Sequence, residues 1–68
     1  MKEKTNIRIE RAKKNITQGQ LAEAVGVSRQ VIHLLETKKT EPKLPLAIRI
    51  AKFFGKPVEI IFEENINI

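Results

Sequence analysis

The chain has no cysteine, tryptophan or tyrosine, and only one histidine. No disulfide can staple it, which fits a reducing compartment. One histidine without thiols excludes a zinc finger or ribbon and argues against a catalytic metal site. The aromatics are three phenylalanines, all at apparent core positions, so the stacking platform needed for single-stranded nucleic acid is missing. No apolar run approaches the ~20 residues of a membrane-spanning helix, and the start, MKEKTNIRIE, has no signal-peptide core. Three glycines and three prolines leave intervals too short for strands and helices to alternate as in a parallel sheet. Sixty-eight residues, 41% hydrophobic and 31% charged, have globular composition and room for one small domain, residues 1–68. The expectation is a soluble, cytoplasmic mini-domain.

Acid is scarce where base is plentiful. Residues 1–56 carry all 13 lysines and arginines against five glutamates, a net +8. Residues 57–68 carry three glutamates and no base, a net −3. A basic body suggests a polyanionic partner, because neutralising phosphates releases counterions. The same charge also serves as a solvated surface that keeps a small protein soluble.

The punctuation predicts five helices. Asn6 can cap a first helix over 6–15. Its apolar face is ambiguous: Ile9, Ala12 and Ile16 share a stripe that Ile7, about 200° from Ile9, cannot fully join. Thr17 and Gln20 make a capping box for a second helix, Gln18–Val25, closed by Gly26. Ser28 caps a third, Arg29–Thr37, with Ile32 and Leu35 inward. Lys38–Lys43 is a polar turn. Pro45 suits the first turn of a fourth helix ending near Phe54, with Leu46, Ala47, Ile50, Ala51 and Phe54 on one face and Gly55 as C-cap. Pro57 opens a short fifth helix through Phe62. The tail over 63–68 contains ENINI, whose alternation allows a short terminal strand. The fold class is all-α.

Residues 18–37, QGQLAEAVGVSRQVIHLLET, are the most informative segment. Two short helices crossing steeply need a small residue where their backbones meet, which Ala22 supplies. The turn needs a residue at ease with positive φ, which Gly26 supplies. Leu21, Val25, Val27, Ile32 and Leu35 complete a wedge-shaped core. With Arg11, Asn15–Gln18, Ser28–Gln30, Glu36 and the Ala47–Ile50–Ala51 stripe, the chain resembles the Cro/repressor-like, xenobiotic-response-element-type helix-turn-helix regulators. The resemblance runs from about Ile7 to Phe62, and is greatest to those consisting of the DNA-binding domain alone.

That resemblance implies a DNA-binding transcriptional regulator, expected to be a repressor, whose third helix lies in the major groove. Arg29 can pair bidentately with guanine and Gln30 with adenine. His33 and Leu34 share the outward side; the imidazole meets solvent, phosphate or a base edge. Leu34, usually small or polar in the family, meets a thymine methyl or a protein partner. Backbone contacts are expected from Gln18 at the second helix N-terminus, from Ser28 and Thr37, and from Lys38, Lys39 and Thr40 in the following turn. Lys13, Lys14 and Lys43 are further candidates. Arg11 and Glu36 match a structural ion pair of the family. The turn after the third helix lacks the family's frequent glycine, so either some residue takes a strained φ or the turn differs.

One domain reads too few base pairs for genomic specificity, so the family pattern implies a homodimer on a pseudo-palindrome. Leu44, Ile48, Phe53, Ile60, Ile66 and Ile68 exceed what the helix stripes need and supply an interface. An enzyme is not expected: there is no nucleophile–base arrangement, glycine-rich phosphate loop or acid pair. No cofactor, metal, membrane or small-molecule ligand is expected. The alternative is a protein-binding helix-turn-helix module, as in an antitoxin or bridging factor.

Overall fold

The computed structural model describes residues 5–62. Five helices follow one another: α1 (Ile7–Lys14), α2 (Gln18–Val25), α3 (Arg29–Glu36), α4 (Leu44–Phe54) and α5 (Val58–Ile61). No strand occurs among the described residues. The tail at 63–68, with its expected strand and with Ile66 and Ile68, lies outside them.

Each helix starts and stops for a local reason. Asn6 Oδ1 accepts from the Ile9 N–H at 2.9 Å and opens α1. Asn15, left-handed at φ 56°, closes it. At α2 the capping box is complete: the Gln20 N–H donates to Thr17 Oγ1 at 3.0 Å, and the Thr17 N–H donates back to Gln20 Oε1 at 2.8 Å. Gly26, at φ 77°, ends α2. Ser28 Oγ then accepts from the Val31 N–H at 3.3 Å and opens α3. In α4, which begins at Leu44, Pro45 stands in the first turn, where a missing N–H is harmless.

α1 settles which apolar face wins. Ile7 is 3% exposed, whereas Ile9 is 43% exposed and Ala12 also faces solvent. The Ile9–Ala12–Ile16 stripe is therefore not the buried one. The inward row runs through Ile7 and Glu10, three residues apart on one side. Glu10 is tolerated there because Thr5 Oγ1 donates to Oε2 at 2.6 Å, with the ammonium groups of Lys13 at 3.3 Å and Lys56 at 3.4 Å.

The core lies where α2, α3 and α4 converge. Leu21, Ile32 and Ile50 are its largest fully buried side chains, with Ala22, Val25, Leu35, Ala47, Ala51, Phe54, Ile61 and Phe62 around them. Ala22 and Ala47 let the backbones approach. Arg49 Nε donates to the Val25 carbonyl at 3.1 Å, so α4 also satisfies the C-terminal end of α2. Two of the three phenylalanines are in the core. Phe53 is not: it is 37% exposed, packed edge-to-face on Phe54 and covered by the Lys14 ammonium 5.6 Å from its ring centroid.

Gly26 and Gly19 answer differently to an added methyl group. At Gly26 nothing lies within 4 Å of a built Cβ, but the positive φ strains any L-residue. At Gly19 the Cβ would make an ordinary 3.8 Å contact with Thr17 Oγ1 in an unstrained helix. Gly26→Ala is expected to destabilise by about 1 kcal/mol, and Gly19→Ala to stabilise by about 0.5 kcal/mol. Urea midpoints at unchanged m-value check this; shifts of the same sign would contradict it.

Candidate nucleic-acid interface

α3 is eight residues, about 12 Å long, and its two sides differ sharply. Ile32 and Leu35 point into the core and Val31 is half-buried, while Arg29, Gln30 and His33 are fully outward. The capping geometry leaves Ser28 chemically open: its Oγ accepts from Val31, so its own proton remains available to an external acceptor. Thr37 differs. Its hydroxyl donates into the last turn, to the His33 carbonyl at 3.0 Å or the Leu34 carbonyl at 3.3 Å. It reaches an outside phosphate only by giving up that bond.

α3 ends without glycine, and the strain falls on Lys38, at φ 59°. In return the Lys39 N–H reaches the Leu34 carbonyl at 2.9 Å and the Lys38 N–H the Leu35 carbonyl at 3.2 Å, closing the helix as a glycine turn would. Lys38, Lys39 and Thr40 are exposed just past the helix. Leu34 is half-buried. It lines a largely apolar groove of about 480 Å³ with Val27, Val31, Pro42 and Leu46, one wall of which is formed by residues 40–43.

At the same end of α3, Glu36 gathers three donors. Arg11 Nε binds its Oε2 at 2.8 Å and Arg11 Nη2 its Oε1 at 3.1 Å, while Gln18 Nε2 donates to Oε1 at 3.0 Å. Arg11 Nη1 also donates to the Ile16 carbonyl at 3.0 Å. The carboxylate side chain is 5% exposed and its arginine partner 19%. Burial alone would raise the Glu36 pKa, but hydrogen bonds from Arg11 and Gln18, and the charges of Arg11 and Arg8, hold it below the usual carboxylate range. The same pair raises the Arg11 pKa, chiefly through the Glu36 hydrogen bond. Glu10 behaves likewise: burial pushes upward and the bonds from Thr5, Lys13 and Lys56 outweigh it.

The structure thus brings Arg29, Gln30 and His33 onto one exposed side of α3, with the 38–40 turn beyond its C-terminal end. Gln18 touches the α3 terminus through Glu36. Lys13 and Lys14 stay exposed, but their ammonium groups reach back to Glu10 and to the Phe53 ring. Sequence reasoning missed Arg8, exposed yet close enough to act on Glu36, and Arg49. Arg8 stands three residues before Arg11 on the same helix side, a signal that could have been read; the Arg49 partner, a backbone carbonyl, carries no sequence signal.

A helix-turn-helix family model matches residues 7–61, spanning all five helices. The chain belongs to the Cro/C1-type helix-turn-helix family. Membership places it among DNA-binding regulators and not enzymes. It is 49% identical over 59 residues to an uncharacterised helix-turn-helix-type transcriptional regulator of Methanocaldococcus jannaschii, covering 87% of this chain and 89% of the relative. A second relative so named, from Archaeoglobus fulgidus, is 48% identical over 59 residues, covering 87% of this chain and 83% of its own. A third, YgzD of Bacillus subtilis, is 37% identical over 65 residues, covering 91% and 98%. No described helix is long and apolar enough to cross a membrane.

The two buried glutamates set an acid limit on this helix-turn-helix. A carboxylate whose pKa is depressed on folding adds stability that is complete above its unfolded pKa, about 4.3, and is lost as pH falls through the lower folded value. Stability on account of Glu10 and Glu36 should be level from neutral pH to about 5.5 and fall below about 4.5. Urea titrations across pH should show that limb flattened in Glu36→Gln; an unchanged slope would contradict the assignment.

Proposed function

We propose that the protein is a sequence-specific double-stranded DNA-binding transcriptional regulator, acting as a repressor on nucleoid DNA in the cytoplasm. What supports this reading most is the bare outer side of α3: Arg29, Gln30 and His33 stand free on a helix whose other side is fully committed to the core. A helix of this length and about 10–12 Å across fits a major groove about 12 Å wide. In this reading Arg29 and Gln30 make bidentate contacts to purine edges, His33 follows one turn on, and Leu34 approaches a thymine methyl from the groove rim.

Backbone phosphates are held at both ends of the reading helix. Ser28 donates at the N-terminal end of α3, and Gln18, Lys38, Lys39 and Thr40 at its C-terminal end, with Thr37 joining if it releases its carbonyl. These contacts set register and carry the salt dependence, whereas the base contacts carry sequence.

We assign the working form to a two-fold dimer with half-sites about 34 Å apart. Leu44, 57% exposed, and Ile48 lie one turn apart on α4 and form its natural centre, with half-buried Ile60 on α5 nearby in the chain. Phe53 lies about 180° around α4 from Leu44 and belongs to a separate patch.

Binding selection from random duplexes should yield a preferred site. Arg29→Ala should then relax preference at one base pair per half-site, a loss of about 1–3 kcal/mol there. Lys39→Ala should weaken all sequences alike and reduce the salt slope by about 1. No duplex binding at low salt would overturn the reading in favour of a protein-binding module. Sedimentation at micromolar concentration should give twice the 7.8 kDa chain mass; a species that stays at the monomer mass would remove the dimer.

A further inference from the structure

Gln18 is the proposed backbone contact with the least freedom, and the reason lies in Glu36. A glutamine amide is ambivalent: one end donates two protons and the other only accepts. Left to rotate, an exposed helix-start amide offers a phosphate its oxygen as readily as its nitrogen, and two oxygens repel. Here one partner breaks the symmetry. A carboxylate held ionised can only accept, so the amide edge facing Glu36 Oε1, 3.0 Å away, must be Nε2. One Nε2 proton is thereby used, and the second has no partner among the described residues.

The carboxylate would be a liability beside DNA if its charge were uncompensated. Arg11 meets it with two parallel bonds and is itself anchored on the Ile16 carbonyl, so the pair presents little net charge. Glu36 is on the last turn of α3, Gln18 on the first turn of α2 and Arg11 on α1. A single buried carboxylate therefore fixes which end of the Gln18 amide faces α3 and leaves one Nε2 proton for an outside acceptor.

We infer that Glu36 is a positioning residue for DNA binding: it orients the Gln18 amide so that a nitrogen proton, and not the oxygen, meets a backbone phosphate. This rests on the proposed contact between Gln18 and phosphate, and it assigns the ion pair a role in recognition beyond holding helices together.

A double-mutant cycle on duplex affinity tests it, with every variant measured below its own melting transition. Gln18→Ala should weaken binding about tenfold, the size of one hydrogen bond to a charged group. Glu36→Gln should weaken it by a similar factor, and the double variant should be no weaker than Gln18→Ala alone. Losses that multiply would mean that Glu36 acts only through the fold, and would overturn the inference while leaving the phosphate contact standing. Gln18→Ala without effect would instead remove that contact, and the inference with it. If Glu36→Gln does not fold, side-chain amide spectra of the unaltered protein decide. Of the two Gln18 Nε2 proton signals, the one bonded to Glu36 should hold its position on adding duplex while the other moves strongly; both moving together, or neither moving, would overturn the orientation.

Discussion

The Glu36 carboxylate, buried at the end of α3 and gripped by Arg11, is the contact on which the placement of α3 depends. α3 is only eight residues long and commits little more than Ile32 and Leu35 to the core. Apolar packing holds such a helix close but resists rotation about its own axis poorly, because hydrophobic contact is not directional. Two parallel bonds from a guanidinium are directional, and they tie α3 to α1 while Gln18 ties it to α2. Removing one partner of a buried pair costs up to about 3–5 kcal/mol. A chain of this size has roughly 3–10 kcal/mol in total.

The same economy governs the rest of the charge. Glu10 and Glu36 are turned inward and neutralised, by Thr5, Lys13 and Lys56 in one case and by Arg11 and Gln18 in the other. Arg29 and the 38–39 lysines face outward beyond them. Two acids thus serve as internal ties while Glu23, Glu41 and Glu59 stay exposed, and the excess of base still gives the protein a field suited to a polyanion. Strain follows the same division: Lys38 holds a left-handed backbone where glycine would be easier, and keeps a positive charge next to α3.

Much of this was legible in the sequence because it is local. Thr17 with Gln20, Ser28, Gly26, Gly55 and Pro45 act within a few residues of themselves, and each marks a helix end in the structure. The missing glycine after α3 left either a strained φ or a different turn open, and did not single out Lys38, which carries the strain. What stayed hidden is non-local. Ile7 and Ile9 compete for one face of α1, and only the packing of the other helices decides between them. The burial of Glu10 depends on Lys56, 46 positions away, and the Gln18 partner is 18 positions away. Leu34 has the spacing of an outward residue, yet it is half-buried and lines a groove together with residues 40–43. Phe53, outside the α4 stripe that Phe54 completes, is at the margin of α4 under Lys14 and not in the core.

The groove proposed for α3 can be tested chemically on a bound duplex. Dimethyl sulfate methylates guanine at N7, which opens to the major groove, and adenine at N3, which opens to the minor groove. Methylation interference on a selected site should show guanine N7 methylation abolishing binding at the positions read by Arg29, with adenine N3 methylation tolerated. Interference confined to adenine N3 would place the protein in the opposite groove and contradict the account.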